Sequence, residues 1–306
     1  MSKHRKKSTR TGGRGALTGV VALGVIAAGL PAAMQATAAP LEDGAAAAAG
    51  NTIKVVQHNT DQIEARWTRV LGKGDSNDLL LAEEVCQKWV EDARANPAYA
   101  GWKFSFHRQK RTTTDNALNV CPASADGSTW KGPVAVYTGT GASTTQDKLL
   151  DKSDGQRFGM ACVTFTHAGR KVHGCATHLQ VYHDKDLADR TRQTAAIKRI
   201  TTPWIQEKGH SVIVGGDFNM TPSRSPMSNV YQTRGSGRFI EANQLRTGSD
   251  ARAGEPTVFD EDGTGQRKID YVFFSSNRTP LGSGGTLTVT PINEAHGILA
   301  ATAHIR

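Results

Sequence analysis

The sequence has few cysteines and no long apolar run. Four cysteines in 306 residues are too few for a disulfide-dominated scaffold. The longest apolar run, residues 16–30, is shorter than the roughly 20 residues that a membrane-spanning helix needs. No segment repeats with a period of about 20–50 residues, which argues against solenoids and propellers. With 38% hydrophobic and 21% charged residues, the composition indicates a globular protein rather than a disordered one.

Basic residues outnumber acidic ones, but the excess is concentrated at the N-terminus. The chain holds 37 Lys and Arg against 28 Asp and Glu, a net charge of +9. The first 38 residues contain six of these cations and no acid, so 31 basic and 28 acidic side chains remain in the rest. The high isoelectric point is therefore only a weak indication of a nucleic-acid partner.

The N-terminal segment has the layout of a secretory signal peptide. Basic residues up to Arg14 precede the apolar run 16–30, and the small residues Ala36-Thr37-Ala38 follow it. We predict a signal peptide over 1–38, cleavage after Ala38, a flexible linker over 39–51 and one domain over 52–306. A membrane anchor is the alternative, but no second apolar segment follows. We thus expect a secreted, extracellular protein without stable membrane insertion.

Export would place the cysteines in an oxidising compartment. If Ala168-Gly169 is the turn of a β-hairpin, Cys162 and Cys175 lie directly opposite each other and can form a disulfide. Cys86 then pairs with Cys121 by elimination. A zinc site is the alternative, although the C-x-x-C spacing typical of such sites is absent.

Several runs with the character of buried strands end in polar side chains that could bind a cation or a phosphate. One such run, Asp78–Ala82, is predicted to stop at Glu83-Glu84. Polar residues at strand ends gather at one rim of a sheet, where α/β sites form. Asp270 lies within an apolar strand, where a carboxylate is costly unless it is paired or metal-bound. The candidate site residues are Asn59, Glu84, His178, Asp217, Asn219, Asp270 and His296.

Each candidate also has a purely structural interpretation. Glu84 could be an acid at the start of a helix, where the helix dipole favours it. Asp217 and Asn219 could form an Asx turn after Gly215-Gly216. As a set, however, hard oxygen donors with few thiols suit Mg²⁺ or Ca²⁺ rather than zinc.

The order of these motifs along the chain resembles that of the endonuclease/exonuclease/phosphatase superfamily, which has the deoxyribonuclease-I-like fold. The matching segments are Val56-Gln57-His58-Asn59, Leu80–Val85 (family L-Q-E-V), Ala176–Leu179 (T-H-L), Arg190 with Gln193 (R-x-x-Q), Gly216-Asp217-Phe218-Asn219 (G-D-F-N), and Pro256-Thr257 with Lys268–Tyr271 (P-T and R-I-D-Y). The resemblance implies an α/β fold, a four-layer sandwich in which two mixed β-sheets pack face to face with helices outside.

The resemblance also implies the roles of the site residues. It places Mg²⁺, with Mn²⁺ or Ca²⁺ as alternatives, at Glu84 with Asn59 close by. Asn219 and His178 would donate to the phosphate oxygens. Asp270 would orient His296, while either His296 or Asp217 would take a proton from water.

The chain departs from the family pattern at Ala295. The family usually has S-D-H where this sequence has Glu294-Ala295-His296. An alanine side chain neither ligates a cation nor accepts a hydrogen bond, so the departure affects a second metal position and full activity rather than the fold.

These observations predict a monomeric, metal-dependent phosphoric ester hydrolase. The basic run His107–Arg111 beside the expected rim favours a nuclease that cleaves DNA or RNA with low sequence specificity. A lipid or small-molecule phosphodiesterase or phosphatase, of the sphingomyelinase or inositol-phosphatase type, is the first alternative. The second is a binding or toxin-like protein that kept the scaffold and lost turnover.

Overall fold

A computed structural model describes residues 50–112, 120–153, 155–181 and 187–306. The predicted signal peptide over 1–38 and residues 39–49 of the predicted linker lie outside the described residues. In the part of the chain that the structure describes, no helix is both long and apolar enough to cross a membrane.

The domain is built from fifteen strands and four α-helices within the described ranges. In chain order the strands are β1 Thr52–Asn59, β2 Leu79–Cys86, β3 Lys103–Phe106, β4 Lys110–Arg111, β5 Trp130–Tyr137, β6 Ser143–Ser153, β7 Gln156–His167, β8 Arg170–His178, β9 Ser211–Asp217, β10 Phe239–Glu241, β11 Val258–Phe259, β12 Gly265–Arg267, β13 Asp270–Ser275, β14 Gly285–Thr290 and β15 Ile298–His304. The helices are α1 Glu64–Leu71, α2 Gln87–Ala95, α3 Leu187–Thr202 and α4 Ala242–Thr247.

The strands form two mixed sheets. The first sheet has the order β14-β15-β1-β2-β5-β3, with β4 also paired to β5, and the second has the order β10-β13-β9-β8-β7-β6. The pairs β1–β2 and β8–β9 are parallel, whereas the other neighbours within these two sheets are antiparallel. Because β1 also pairs with β15, Thr52 lies opposite His304.

The two sheets pack face to face, with helices on their outer faces. Leu79 and Leu81 of β2 share the core between the sheets with Ile213 of β9. Leu80, which points to the other side of the same strand, packs with Trp67 of α1. The outer face of the second sheet packs against α3 through Val212, Val214 and Ile197. The α/β sandwich expected from the family resemblance is confirmed.

Both predicted disulfides are present. The β7–β8 hairpin turns at Ala168-Gly169, where both residues have positive φ angles of 48° and 73°. Cys162 and Cys175 are directly opposed in this hairpin and are bonded to each other. The other disulfide joins Cys86 to Cys121.

The sequence predicts that β2 stops at Glu83-Glu84. This prediction was wrong, because β2 continues to Cys86. Its register with β5 shifts between Ala82 and Val85, and Glu84 has a φ of 56°. This β-bulge inserts an extra residue, so the strand bends and continues instead of ending. The prediction failed because a pair of acidic residues suggests a strand end whenever the sheet partner is unknown.

Candidate active site

All seven sequence-predicted site residues lie at one rim of the sandwich. Asn59, His178 and Asp217 are the last residues of β1, β8 and β9. Asp270 opens β13 directly opposite Asp217 in the antiparallel β9–β13 pair. The bulge in β2 places Glu84 at the same rim, close to His178. The two parallel strand pairs therefore deliver polar side chains from both sheets to one place.

The carboxylate of Asp217 lies at the centre of this group. Its Oδ2 atom is 3.2 Å from Asn59 Nδ2, 3.7 Å from His178 Nε2 and 3.8 Å from His296 Nε2. Its Oδ1 atom accepts the backbone N–H of Asn219 at 2.7 Å. The imidazole separations exceed a hydrogen bond, so both rings face Asp217 without bonding to it directly.

Asp270 and His296 form a hydrogen-bonded pair beside Asp217. Nδ1 of His296 lies 3.0 and 2.9 Å from the two carboxylate oxygens of Asp270. The Thr257 hydroxyl donates to Asp270 Oδ2 at 2.7 Å and accepts the Asp270 backbone N–H at 3.0 Å. Asp270 is fully buried, and these bonds stabilise its carboxylate there. Sequence reasoning assigned no role to Thr257, although the P-T motif drew attention to it.

The Glu84 carboxylate has three polar neighbours. Lys131 Nζ lies 2.6 Å from Oε2, and Gln62 Nε2 donates to the same oxygen at 3.1 Å. His178 Nδ1 is 3.8 Å from Oε1. No sequence pattern points to Lys131 or Gln62. Lys131 lies inside a strand and Gln62 in a loop, and only the tertiary fold brings them to Glu84.

Backbone strain concentrates at the same rim. Among the described residues, seven other than glycine have positive φ, and four of them flank the site. These four are Asp61, Gln62, Glu84 and Asn219, with φ angles of 48°, 57°, 56° and 51°. Each such residue costs on the order of 1–3 kcal/mol and persists only where its surroundings fix it. The clustering is typical of a functional site.

The segment that follows His178 is held by α3. Gln193 Oε1 accepts the backbone N–H of Gln180 at 2.9 Å, and Arg190 Nη1 donates to Val181 O at 2.9 Å. Asn219 Nδ2 donates to Leu179 O at 3.1 Å, which joins this segment to the G-D-F-N loop. The R-x-x-Q motif therefore positions the strand end that carries His178.

Burial and neighbouring charges shift the proton affinities of the site residues. Burial, reinforced by the Asp270 carboxylate, raises the pKa of Asp217 to about 7. Burial alone would lower the pKa of His296, but the carboxylates of Asp270, Asp217 and Asp61 together outweigh it and that pKa rises to about 10. Burial lowers the pKa of His178 to about 4, so its ring is neutral at neutral pH.

The donor set fits a hard divalent cation. Burial opposes ionisation of Glu84, but Lys131 and His178 outweigh it and lower the pKa of Glu84 below its usual value. Ligand atoms of Asp217, Asp270 and His296 lie within 4.8 Å of one another. Carboxylate and amide oxygens are the donors that Mg²⁺, Mn²⁺ and Ca²⁺ prefer, and this cluster contains no thiol.

Ala295 is buried, and its backbone carbonyl accepts the N–H of Phe259 at 3.0 Å. The departure from the family's S-D-H pattern leaves the His296–Asp270 hydrogen bonds in place.

Solved structures of other proteins share this fold. The truncated TDP2 of Caenorhabditis elegans superposes with a TM-score of 0.57 at 14% identity, over 83% of this chain and 98% of that one. An endonuclease/exonuclease/phosphatase of Beutenbergia cavernae gives 0.56 at 15% identity, over 83% and 72%. The human Nocturnin catalytic domain with bound sulfate gives 0.56 at 14% identity, over 82% and 93%.

No curated protein has a significant sequence match to this chain. The model of the Endonuclease/Exonuclease/phosphatase family, however, matches residues 56–292. That range contains six of the seven candidate site residues, and His296 lies four residues beyond it. The chain therefore belongs to the endonuclease/exonuclease/phosphatase family, whose members are phosphoric ester hydrolases that generally depend on divalent metal ions.

Proposed function

We propose that this protein is a secreted, metal-dependent nuclease that hydrolyses phosphodiester bonds of DNA or RNA with low sequence specificity. The observation that carries the proposal is the arrangement of Asp217, His296 and Asp270, in which a buried carboxylate faces an imidazole that a second carboxylate holds in place. In this arrangement the Asp217 carboxylate can accept a proton, and the protonated imidazole of His296 supplies a positive charge beside it.

The residues supply the steps that cleavage of a phosphodiester requires. A site must activate water and stabilise the charge that develops on the phosphate oxygens. Asp217 acts as the general base, because a pKa near 7 suits proton transfer at neutral pH. His296 carries a proton at that pH and stabilises the phosphate as a cation, while Asp270 fixes the orientation of its ring.

Two neutral side chains complete the protein's contribution. His178 is uncharged at neutral pH, so one of its ring nitrogens carries a hydrogen that can bind a phosphate oxygen. The Asn219 amide has two N–H groups, of which Leu179 O takes one. The other N–H group has no partner within the described ranges and can donate to the phosphate.

Glu84 and Asn59 would hold the divalent cation. Such an ion polarises the phosphoryl oxygen and stabilises the leaving group. Glu84 suits this role because its carboxylate is ionised and it lies at the rim rather than in the core. Mg²⁺ is the ion we propose, with Mn²⁺ and Ca²⁺ as alternatives.

Export is part of the proposal. Residues 1–38 have the layout of a signal peptide. All four cysteines are joined in disulfides, and such bonds persist in oxidising compartments such as the cell exterior.

To test the proposal, the protein is purified from the culture medium and supplied with Mg²⁺. It is then incubated separately with plasmid DNA, RNA, sphingomyelin and the chromogenic diester bis(p-nitrophenyl) phosphate. Cleavage of DNA or RNA supports the nuclease. Cleavage of sphingomyelin or the small diester alone would identify a lipid or small-molecule esterase. If none of the four substrates is cleaved, the protein is a binding protein on the same scaffold.

A further inference from the structure

A pair of lysines extends the site along the edge formed by β4 and β5. Lys131 of β5 contacts Glu84, and both side chains are only about one-sixth exposed. Lys110 of β4 lies directly opposite Lys131 in the antiparallel register. Directly opposed residues project from the same face of a sheet, so Lys110 and Lys131 point to the same side.

Two like charges in this position are unfavourable without an anion. Opposed cations on neighbouring strands repel each other and destabilise the pairing. Glu84 neutralises Lys131, but Lys110 is exposed and has no acidic partner within the described ranges. The pair therefore retains a positive charge beside the candidate active site.

The surrounding contacts hold the lysine pair in place. The ring of His107 is buried, contacts Asp147 and bonds to Arg157 O at 2.5 Å, and Gln109 N donates to Lys131 O at 3.0 Å. A side chain added at Gly132 would come within 1.9 Å of the His107 carbonyl, so the two segments approach too closely for any other residue.

The basic run His107–Arg111 is therefore not a uniform charged surface. His107 and Gln109 point inward, and Arg108 is paired with Asp126 at 2.6 Å. The guanidinium of Arg111 lies 5.0 Å from the ring centre of Trp130, on the opposite face of the ribbon from Lys110. Lys110 is the member of the run that shares a face with Lys131.

We propose that Lys110 and Lys131 bind a phosphate of the nucleic-acid strand next to the phosphate that is hydrolysed. The inference rests on the proposed nuclease function and specifies its substrate class as a polynucleotide. In the proposed function, His296, His178 and Asn219 contact the phosphate that is hydrolysed. Two further lysines beside them therefore suit a substrate that carries a second anion nearby. A chain of nucleotides has one phosphate per residue, which meets this need.

The test measures binding of a fluorescein-labelled oligonucleotide by anisotropy in EDTA, where no cleavage occurs. We expect Lys110→Ala and Lys131→Ala each to weaken binding on the order of fivefold at about 50 mM salt. Each variant should also reduce the slope of log affinity against log salt by about 1, because one phosphate contact is lost. Circular dichroism confirms that the variants are folded, and Lys110→Arg should restore the slope.

Lys103→Ala is the matched control. Lys103 is an exposed lysine on β3, opposite Tyr137 at the other end of β5, and this variant should keep the wild-type slope. Suppose that the wild type cleaves plasmid DNA but that Lys110→Ala and Lys131→Ala show the same slope of log affinity against log salt as the wild type. The proposed role of the lysine pair is then refuted, and the nuclease proposal stands. If the wild type neither binds the oligonucleotide nor cleaves nucleic acid, both proposals fall.

Discussion

Nδ1 of His296 lies 2.9 Å from Oδ2 of Asp270, and this bond turns the opposite ring nitrogen toward Asp217. Each of the two residues lies in a motif that is visible in the sequence, but they are 26 positions apart and the fold brings them into contact. Because Asp270 is fully buried and also bonded to Thr257, the role we propose for it is to orient the imidazole rather than to touch substrate.

Replacing His296 tests this arrangement most directly. We expect His296→Gln to lower kcat by at least about a hundredfold, since glutamine cannot carry the positive charge. The rate is measured with bis(p-nitrophenyl) phosphate, or with plasmid DNA if the small diester is not cleaved. His304→Gln is the control, because His304 lies at the far end of β15 and bonds to Thr52. Wild-type turnover in His296→Gln would disprove the assigned role.

The pH dependence of kcat/KM should be bell-shaped. Activity should rise as Asp217, whose pKa is about 7, loses its proton and becomes a base. It should fall as His296 loses its proton near pH 10. Asp270→Asn removes the carboxylate that raises the His296 pKa, so the falling limb should move to lower pH. An unchanged falling limb in Asp270→Asn would refute the coupling between the two residues.

Metal removal should abolish activity, and Mg²⁺ or Mn²⁺ should restore it. Because Glu84 is the proposed carboxylate ligand, Glu84→Gln should weaken Mg²⁺ binding at least about tenfold in a calorimetric titration. Glu64→Gln is the matched control, since Glu64 is an exposed acid in the first turn of α1. Equal Mg²⁺ affinity in wild type and Glu84→Gln would remove Glu84 from the metal site.

Stability should depend on pH through Glu83, which is fully buried between the sheets. Burial raises the pKa of Glu83 well above its usual value. The folded protein therefore retains a proton that the unfolded chain releases above about pH 4.5, and stability falls as pH rises. Glu83→Gln should remove this cost.

Urea denaturation at two pH values provides the measurement. We expect Glu83→Gln to be more stable than wild type by about 1–3 kcal/mol at pH 8, with the pH-dependent part of this gain lost at pH 4. The Gln57 amide, which donates to Glu83 Oε2 at 2.6 Å, still finds an acceptor in this variant because glutamine keeps a side-chain carbonyl oxygen. Glu64→Gln should show no such pH-dependent difference, and a gain independent of pH in Glu83→Gln would contradict the argument.

Each disulfide should contribute substantially to the free energy of unfolding. Cys86 and Cys121 are 35 residues apart, so replacing both with alanine should cost about 3–4 kcal/mol. Cys162 and Cys175 are 13 residues apart, and their loss should cost slightly less, about 3 kcal/mol. Denaturation of the two double variants tests this order, and a loss below about 1 kcal/mol would contradict the chain-entropy explanation.

The sequence allowed prediction wherever a local pattern determines the position of a residue. Asp217 and His178 were placed at the rim because each ends an apolar strand. Cys162 and Cys175 could be paired because the register of a hairpin follows from its turn. These features depend on neighbours along the chain.

The remaining features depend on contacts between distant segments. Lys131 reaches Glu84 from another strand, and Thr257 bonds to Asp270 across 13 positions of sequence. The bulge that keeps Glu84 within β2 exists only because β5 pairs on both sides of it. A single sequence contains no pattern that specifies such partners, so they emerged only with the fold.

Because Thr52 pairs with His304, the two ends of the domain lie side by side, and Ile305 N donates to Asn51 O at 2.9 Å. Asn59, at the other end of β1, lies at the rim that holds the candidate active site. A short linker could therefore join the ends, and the chain could be reopened at Ala168-Gly169, which lies away from that rim on the second sheet. Such a circular permutant would place a fusion partner or a solid support on the side of the domain opposite the candidate active site.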